Sequence, residues 1–124
     1  MEPYSIEEGG YVLIDKDLEW TSFDVVKKLR NLVRIKKIGH AGTLDPLATG
    51  LLIVCYGKYT KKIEGIQAQK KTYTGNFVLG KTTESYDLEQ PVVEVADTAH
   101  LKQETIAKAA NLFCGTIEQI PPAH

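Results

Sequence analysis

Cysteine is scarce: Cys55 and Cys114 are the only two in 124 residues. They lack the close spacing of metal ligands, and each sits in an apolar run, Leu-Leu-Ile-Val-Cys and Asn-Leu-Phe-Cys. They read as reduced core thiols, which favours a cytoplasmic location. No apolar run is long enough to span a bilayer, so no membrane contact is expected. The opening Met1-Glu2-Pro3-Tyr4 is acidic and polar, unlike a secretion signal. Internal repeats and low-complexity segments are also missing.

What is there is ordinary in bulk. A hydrophobic fraction of 43% and a charged fraction of 25% fit a soluble globular chain, and the length suffices for one domain with a modest core. The net charge of −1 hides an asymmetry. Residues 27–71 carry eleven Lys and Arg (27, 28, 30, 34, 36, 37, 58, 61, 62, 70, 71) against two acids, Asp45 and Glu64, a balance of +9. The remaining residues carry four basic and fourteen acidic groups, a balance of −10. A basic segment flanked by acidic ones suggests a face for a polyanion; solvated, Lys-rich helix faces are the plainer alternative.

Periodicity places the elements. Residues 1–9 form a polar lead-in, and 10–16 a short apolar run ending in charge, read as a buried strand. After a turn at 17–20, Thr21 or Ser22 caps a helix whose apolar stripe is Phe23, Val26, Leu29 and Val33, ending near Arg34. Residues 35–43 read as a basic loop. Residues 51–55 are a buried strand broken at Gly57, and 58–68 are helical with Ile63 and Ile66 inward and Lys61 and Lys62 at the surface. Residues 72–79 alternate as a strand, with Tyr73, Gly75, Phe77 and Leu79 on one face. A polar stretch at 80–90 precedes a short strand at 91–95. A second helix at 105–113 turns Ile106, Ala109, Ala110 and Phe113 inward, with Gly115 as its cap. A last strand at 116–120 leads to Pro121-Pro122. Strands mixed with helices indicate an α+β domain, and the abrupt ending suggests an incomplete one.

One stretch organises the chain: Gly39-His40-Ala41-Gly42-Thr43-Leu44-Asp45-Pro46-Leu47-Ala48-Thr49-Gly50. Its glycines permit tight or left-handed backbone. Asp45-Pro46 has two readings. Asp is a good N-cap and Pro suits the first helical position, so a helix start is one. A carboxylate held at the tip of a rigid loop, with His40 beside it, is the other.

This stretch resembles the signature of TruB-type tRNA pseudouridine synthases. Weaker motifs follow in family order. Asp15-Lys16 with Thr21-Ser22 resembles D-K-P-x-x-x-S/T-S. Gly57, Thr60 and Lys61 match G-x-x-T-K, and Lys71-Thr72-Tyr73 matches K-x-Y. Leu79-Gly80, Thr83, Ser85 and Asp87 resemble L-G-x-x-T-x-T-x-D. Gly115, Gln119 and Pro121-Pro122 resemble G-x-x-x-Q-x-P-P. Asp17 stands where the family usually has Pro, Ala41 where Thr is common, Ser85 for a Thr and Gln90 for a Gly. None of these departures removes a reactive group.

The resemblance implies a mixed, largely antiparallel sheet with flanking helices, residues 1–124 being the N-terminal part of the catalytic domain. It implies isomerisation of uridine to pseudouridine in the T loop of tRNA, at position 55. The N1–C1′ bond breaks, the base turns and C5 bonds to C1′. Nothing is oxidised or lost, so neither cofactor nor metal is needed. A carboxylate serves such a reaction as nucleophile, acid/base or electrostatic partner, and the resemblance makes Asp45 the catalytic nucleophile on a flipped-out base. His40 resembles a histidine beside the displaced nucleotide; a loop hydrogen-bonding role is its alternative. Tyr73 resembles the aromatic that stacks on the base; a core strand tyrosine is its alternative. Lys16, Lys61 and Lys71 are expected to contact phosphates, unless they are simply solvated. The family pairs its aspartate with a cation that lies beyond this sequence, so the chain alone is expected to be inactive. The full-length enzyme is expected to be a monomer, and this chain to self-associate through exposed apolar surface. A non-catalytic RNA-binding or tRNA-folding module is the rival reading.

Overall fold

The computed structural model describes residues 8–120. They divide into two compact units, with the boundary in the chain between Tyr73 and Thr74. The expected Pro121-Pro122 step lies outside the described residues.

The first unit is built on a three-stranded antiparallel sheet in the order β1-β3-β2. Strand β1 is Gly10–Lys16, β2 is Ile38–His40 and β3 is Gly50–Tyr56. Tyr56 lies opposite both Gly10 and Ile38, while Gly50 lies opposite Lys16 and Val54 opposite His40. The C-terminal ends of β1 and β2 therefore gather at the start of β3. Helix α1, Ser22–Val33, covers one face of the sheet. Val25 and Val26 of α1 meet Leu52 and Val54 of β3 in the core, bordered by Ile14, Leu29, Ile38 and Leu44. Full burial of each such aliphatic is worth about 1.5–3 kcal/mol. A 3-10 turn, Gly57–Lys62, and a short helix α2, Ile63–Gln67, follow β3.

Helix α1 starts as its sequence specifies. Thr21 is the N-cap, its hydroxyl accepting from the Asp24 N–H at 3.0 Å while the Asp24 carboxylate accepts from the Thr21 N–H at 3.1 Å. The helix ends at Arg34, which takes a left-handed conformation.

The second unit has a two-stranded antiparallel ladder, β4 (Lys81–Thr82) with β5 (Val93–Glu94), and helix α3, Gln103–Asn111. Thr83 is buried and its hydroxyl donates to the Asp87 carbonyl at 2.6 Å. The fold is α+β with antiparallel sheets, as expected.

Several local expectations are corrected. Strand β1 is an edge strand, with Tyr11 and Leu13 exposed. The buried face of α1 is Ser22, Val25 and Val26, with Leu29 half-buried; Phe23 and Val33 are exposed. The buried stripe keeps Val26 and Leu29 but is turned towards Ser22 and Val25, because Val25 packs with Leu52 and Val54 while the Ser22 hydroxyl is drawn in by Leu44. The loop at 35–43 contains β2. Residues 72–79 form no strand: no described strand pairs with them, and Phe77 is 94% exposed. No strand forms at 116–120, and α3 buries no residue, so Ile106 is exposed; the helix stops before Phe113, which is exposed as well. Cys55 is a buried free thiol as expected, but Cys114 is exposed. No helix among the described residues is long and apolar enough to cross a membrane.

Candidate functional site

The gathering of strand ends decides what can be near what. Residues 41–49 link β2 to β3, and residues 17–21 link β1 to α1, so both connections leave the same end of the sheet. Ala41 extends the ladder by donating its N–H to the Ile53 carbonyl at 2.8 Å. Gly42 and Gly50 then take φ of +110° and +121°. These lie beyond the region open to other residues, so the hinges of the loop require glycine.

Asp45 sits at the tip. No helix follows it: the Ala48 N–H bonds back to the Asp45 carbonyl at 3.0 Å, closing a β-turn with Pro46 at its second position. The helix-start reading of Asp45-Pro46 is thereby overturned. Proline's fixed φ suits this corner of a turn equally well, and the strand that follows is claimed by its pairing with β1 and β2. The Asp45 side chain is exposed and accepts no hydrogen bond from the described residues.

Both neighbours of Asp45 are held. Leu44 leans on the core, and its N–H and C=O both bond to the Ser22 hydroxyl, at 2.9 and 3.2 Å. The Pro46 carbonyl accepts from the Glu19 N–H at 2.8 Å and from Lys16 Nζ at 3.4 Å. Lys16 is 1% exposed, and its amino group also donates to the carbonyls of Trp20 at 2.6 Å and Asp17 at 2.9 Å. This corrects the expected phosphate contact. A lysine so buried must satisfy its donors internally, and its three donors meet three carbonyls here. Lys16 ties the 17–21 connection to the Asp45 turn.

His40 ends β2, half-buried, with Nδ1 donating to the Gly42 carbonyl at 2.6 Å. A carbonyl only accepts, so Nδ1 carries the proton and Nε2 is the nitrogen left for another partner. Tyr73 is 68% exposed and outside any strand, so the core-strand alternative falls away. Lys61 is exposed on the 3-10 turn. Lys71 is exposed too, and its amino group bonds to the carbonyls of Gln67 and Gln69 at the end of α2, where a cation suits the helix dipole. Its stem runs close to the Gly42 hinge: a Cβ added there would lie 3.8 Å from Lys71 Cε.

All eleven basic residues of 27–71 are exposed. Lys28 lies over the Trp20 ring at 5.2 Å and Lys62 over the Tyr59 ring at 4.1 Å. A groove of about 460 Å³ beside Trp20 is lined by Glu19, Asp24, Lys27, Lys28 and Asn31; Asp45 does not line it. Ser22, which the sequence marks only as a candidate cap and part of a weak motif, holds the Asp45 turn. Its signal was the doubled hydroxyl Thr21-Ser22, one more than a helix cap uses.

The family profile described as TruB family pseudouridylate synthase (N terminal domain) matches residues 30–124. A protein named tRNA pseudouridine synthase B from Flavobacterium johnsoniae is 50% identical over 129 aligned residues, covering 98% of this chain and 56% of that protein. Proteins of the same name from Phocaeicola vulgatus and Clostridium perfringens strain 13 are 47% and 46% identical, covering 95% and 94% of this chain and 53% and 40% of their own lengths. The chain thus spans about half the length of the curated relatives it matches. With a match of this extent, and an anchored aspartate turn at the centre of its signature, the chain belongs to the TruB family of pseudouridylate synthases.

Proposed function

We propose that the full-length protein isomerises uridine to pseudouridine in the T loop of tRNA, with Asp45 as the catalytic nucleophile acting on a flipped-out nucleotide. One observation carries the reading: an exposed carboxylate, engaged by none of the described residues, stands on a turn whose residues on both sides are tied to buried groups. A reactive group needs this combination of free side chain and fixed backbone. The names of the relatives support tRNA as the substrate. The exposed basic residues of 27–71 supply a surface for its phosphates.

The other roles are those the family resemblance implies, and exposure supports them. His40 offers Nε2 beside the displaced nucleotide. Tyr73 presents an exposed ring on which a base can stack. Lys61 and Lys71 contact phosphates, and Lys16 does not. The reaction moves no electrons to or from a carrier, so it calls for no redox cofactor. The 124-residue chain alone is inactive, because its described residues bring no cation to the Asp45 carboxylate. The full-length protein works as a monomer in the cytoplasm.

The test is Asp45→Asn in the full-length protein, with pseudouridine formation and tRNA binding measured separately. Loss of product with binding retained is the expected result. Unchanged product formation refutes the role of Asp45. A wild-type protein that binds tRNA but forms no pseudouridine favours the rival RNA-binding module.

A further inference from the structure

Two hydroxyl residues open α1, and Thr21 alone caps it. Ser22 is 2% exposed and commits its hydroxyl elsewhere: Oγ accepts from the Leu44 N–H at 2.9 Å and donates to the Leu44 carbonyl at 3.2 Å. That carbonyl belongs to the peptide bond joining Leu44 to Asp45. Because a peptide is planar, fixing the direction of its C=O fixes the Asp45 nitrogen and Cα as well. On the other side, the Asp45 carbonyl accepts from the Ala48 N–H at 3.0 Å, which fixes the Asp45–Pro46 peptide, and the Pro46 carbonyl beyond it is held by the Glu19 N–H and Lys16. Asp45 stands between two anchored peptides, left with its side-chain torsions as its main freedom.

We propose that Ser22 is a positioning residue for Asp45: its buried hydroxyl grips the backbone on both sides of Leu44 and so sets the direction in which the carboxylate meets the nucleotide. The proposal rests on the reading of Asp45 as nucleophile. A hydroxyl suits the task because one small group both accepts and donates. Alanine at this position leaves a donor and an acceptor beside the core without their partner, and the turn is released to shift.

The test compares Ser22→Ala, Thr21→Ala and Asp45→Asn in the full-length protein, by single-turnover pseudouridine formation and by tRNA affinity. Ser22→Ala is expected to slow the single-turnover step about 100-fold while tRNA affinity stays within about twofold, the pattern of a misplaced reacting group. Thr21→Ala loosens the same helix end without touching Leu44 and is expected to keep the wild-type rate. A wild-type rate in Ser22→Ala, with Asp45→Asn inactive, overturns the positioning role and leaves the nucleophile standing. An active Asp45→Asn overturns the reading beneath both. An equal loss of rate in Thr21→Ala reduces Ser22 to a stability role and also overturns the proposal. Should Ser22→Ala not fold, hydrogen exchange in the unmodified protein decides. The Leu44 amide is expected to be as protected as the amides of β3, and exchange at the rate of an open loop overturns the proposal.

Discussion

Lys16 illustrates what a single residue's surroundings do to its meaning. In a motif beside an anion site, a lysine invites reading as a phosphate contact. Buried at 1% exposure with three carbonyls around its amino group, it is a strut between the end of β1 and the Asp45 turn. The two roles differ in what a substitution does. Lys16→Ala strips those carbonyls of a strong donor and should cost about 2–3 kcal/mol of stability, read as a lower urea midpoint at unchanged slope. Arginine should not rescue it, because a planar fork does not fit a site shaped for a compact ammonium. A phosphate contact would leave stability alone and lower the salt dependence of RNA binding by about one contact; that outcome would return Lys16 to the RNA surface. Asp45 could be singled out from its own stretch, since the signature is contiguous. Its supports could not, because Ser22 and Lys16 reach partners 22 and 30 residues away in the chain, a distance that no periodicity reports.

Elements were legible where local pattern and tertiary partner agree. Strand β1 occupies the bounds its apolar run indicates, and α1 begins at one of its two expected caps. Strand β2 has three residues, Ile38-Gly39-His40, too short to carry a pattern; pairing with β3 makes it a strand. The converse failure is 72–79, where alternation is present and a partner strand is not. At the start of α1 the local chemistry is explicit enough to predict from. The Thr21 hydroxyl and N–H bonded to Asp24 hold its carboxyl below its ordinary value of 3.8. The folded state therefore favours the ionised form. That contribution is complete above the unfolded pKa and is lost as pH falls through the folded one. Stability should fall on acidification below about pH 4, and Asp24→Asn should flatten that acid limb. Thr21→Ala should cost about 1 kcal/mol and move the Asp24 titration, followed by carboxyl NMR, back towards its ordinary value. An unmoved titration would mean that the cap does not govern Asp24.

At the scale of the first unit, α1 covers one face of the sheet, while the other is covered only in part, around Cys55 and Gly39, where Ile63 of α2 approaches. The register sets Val12 and Ile14 against Val54 and Leu52 on the side of α1, and Tyr11, Leu13 and Asp15 against Cys55, Ile53 and Leu51 on the other. On that second side Tyr11, Leu13 and Leu51 are all more than half exposed. They adjoin β1, whose outer edge pairs with no described strand. Contiguous apolar side chains next to an open edge are the two ingredients of sheet-to-sheet association. Lys62, over the Tyr59 ring that lies 6.2 Å from the Tyr11 ring, borders the patch at its Tyr11 end and leaves Leu13 and Leu51 as its apolar centre. The 124-residue chain should therefore self-associate, its sedimentation coefficient rising with concentration. Leu13→Lys, which places a charge on the open face without entering the core, should return it towards monomer. A chain that sediments as a stable monomer at high concentration would show that this exposed face is too small, or too interrupted by Asp15, to hold two copies together.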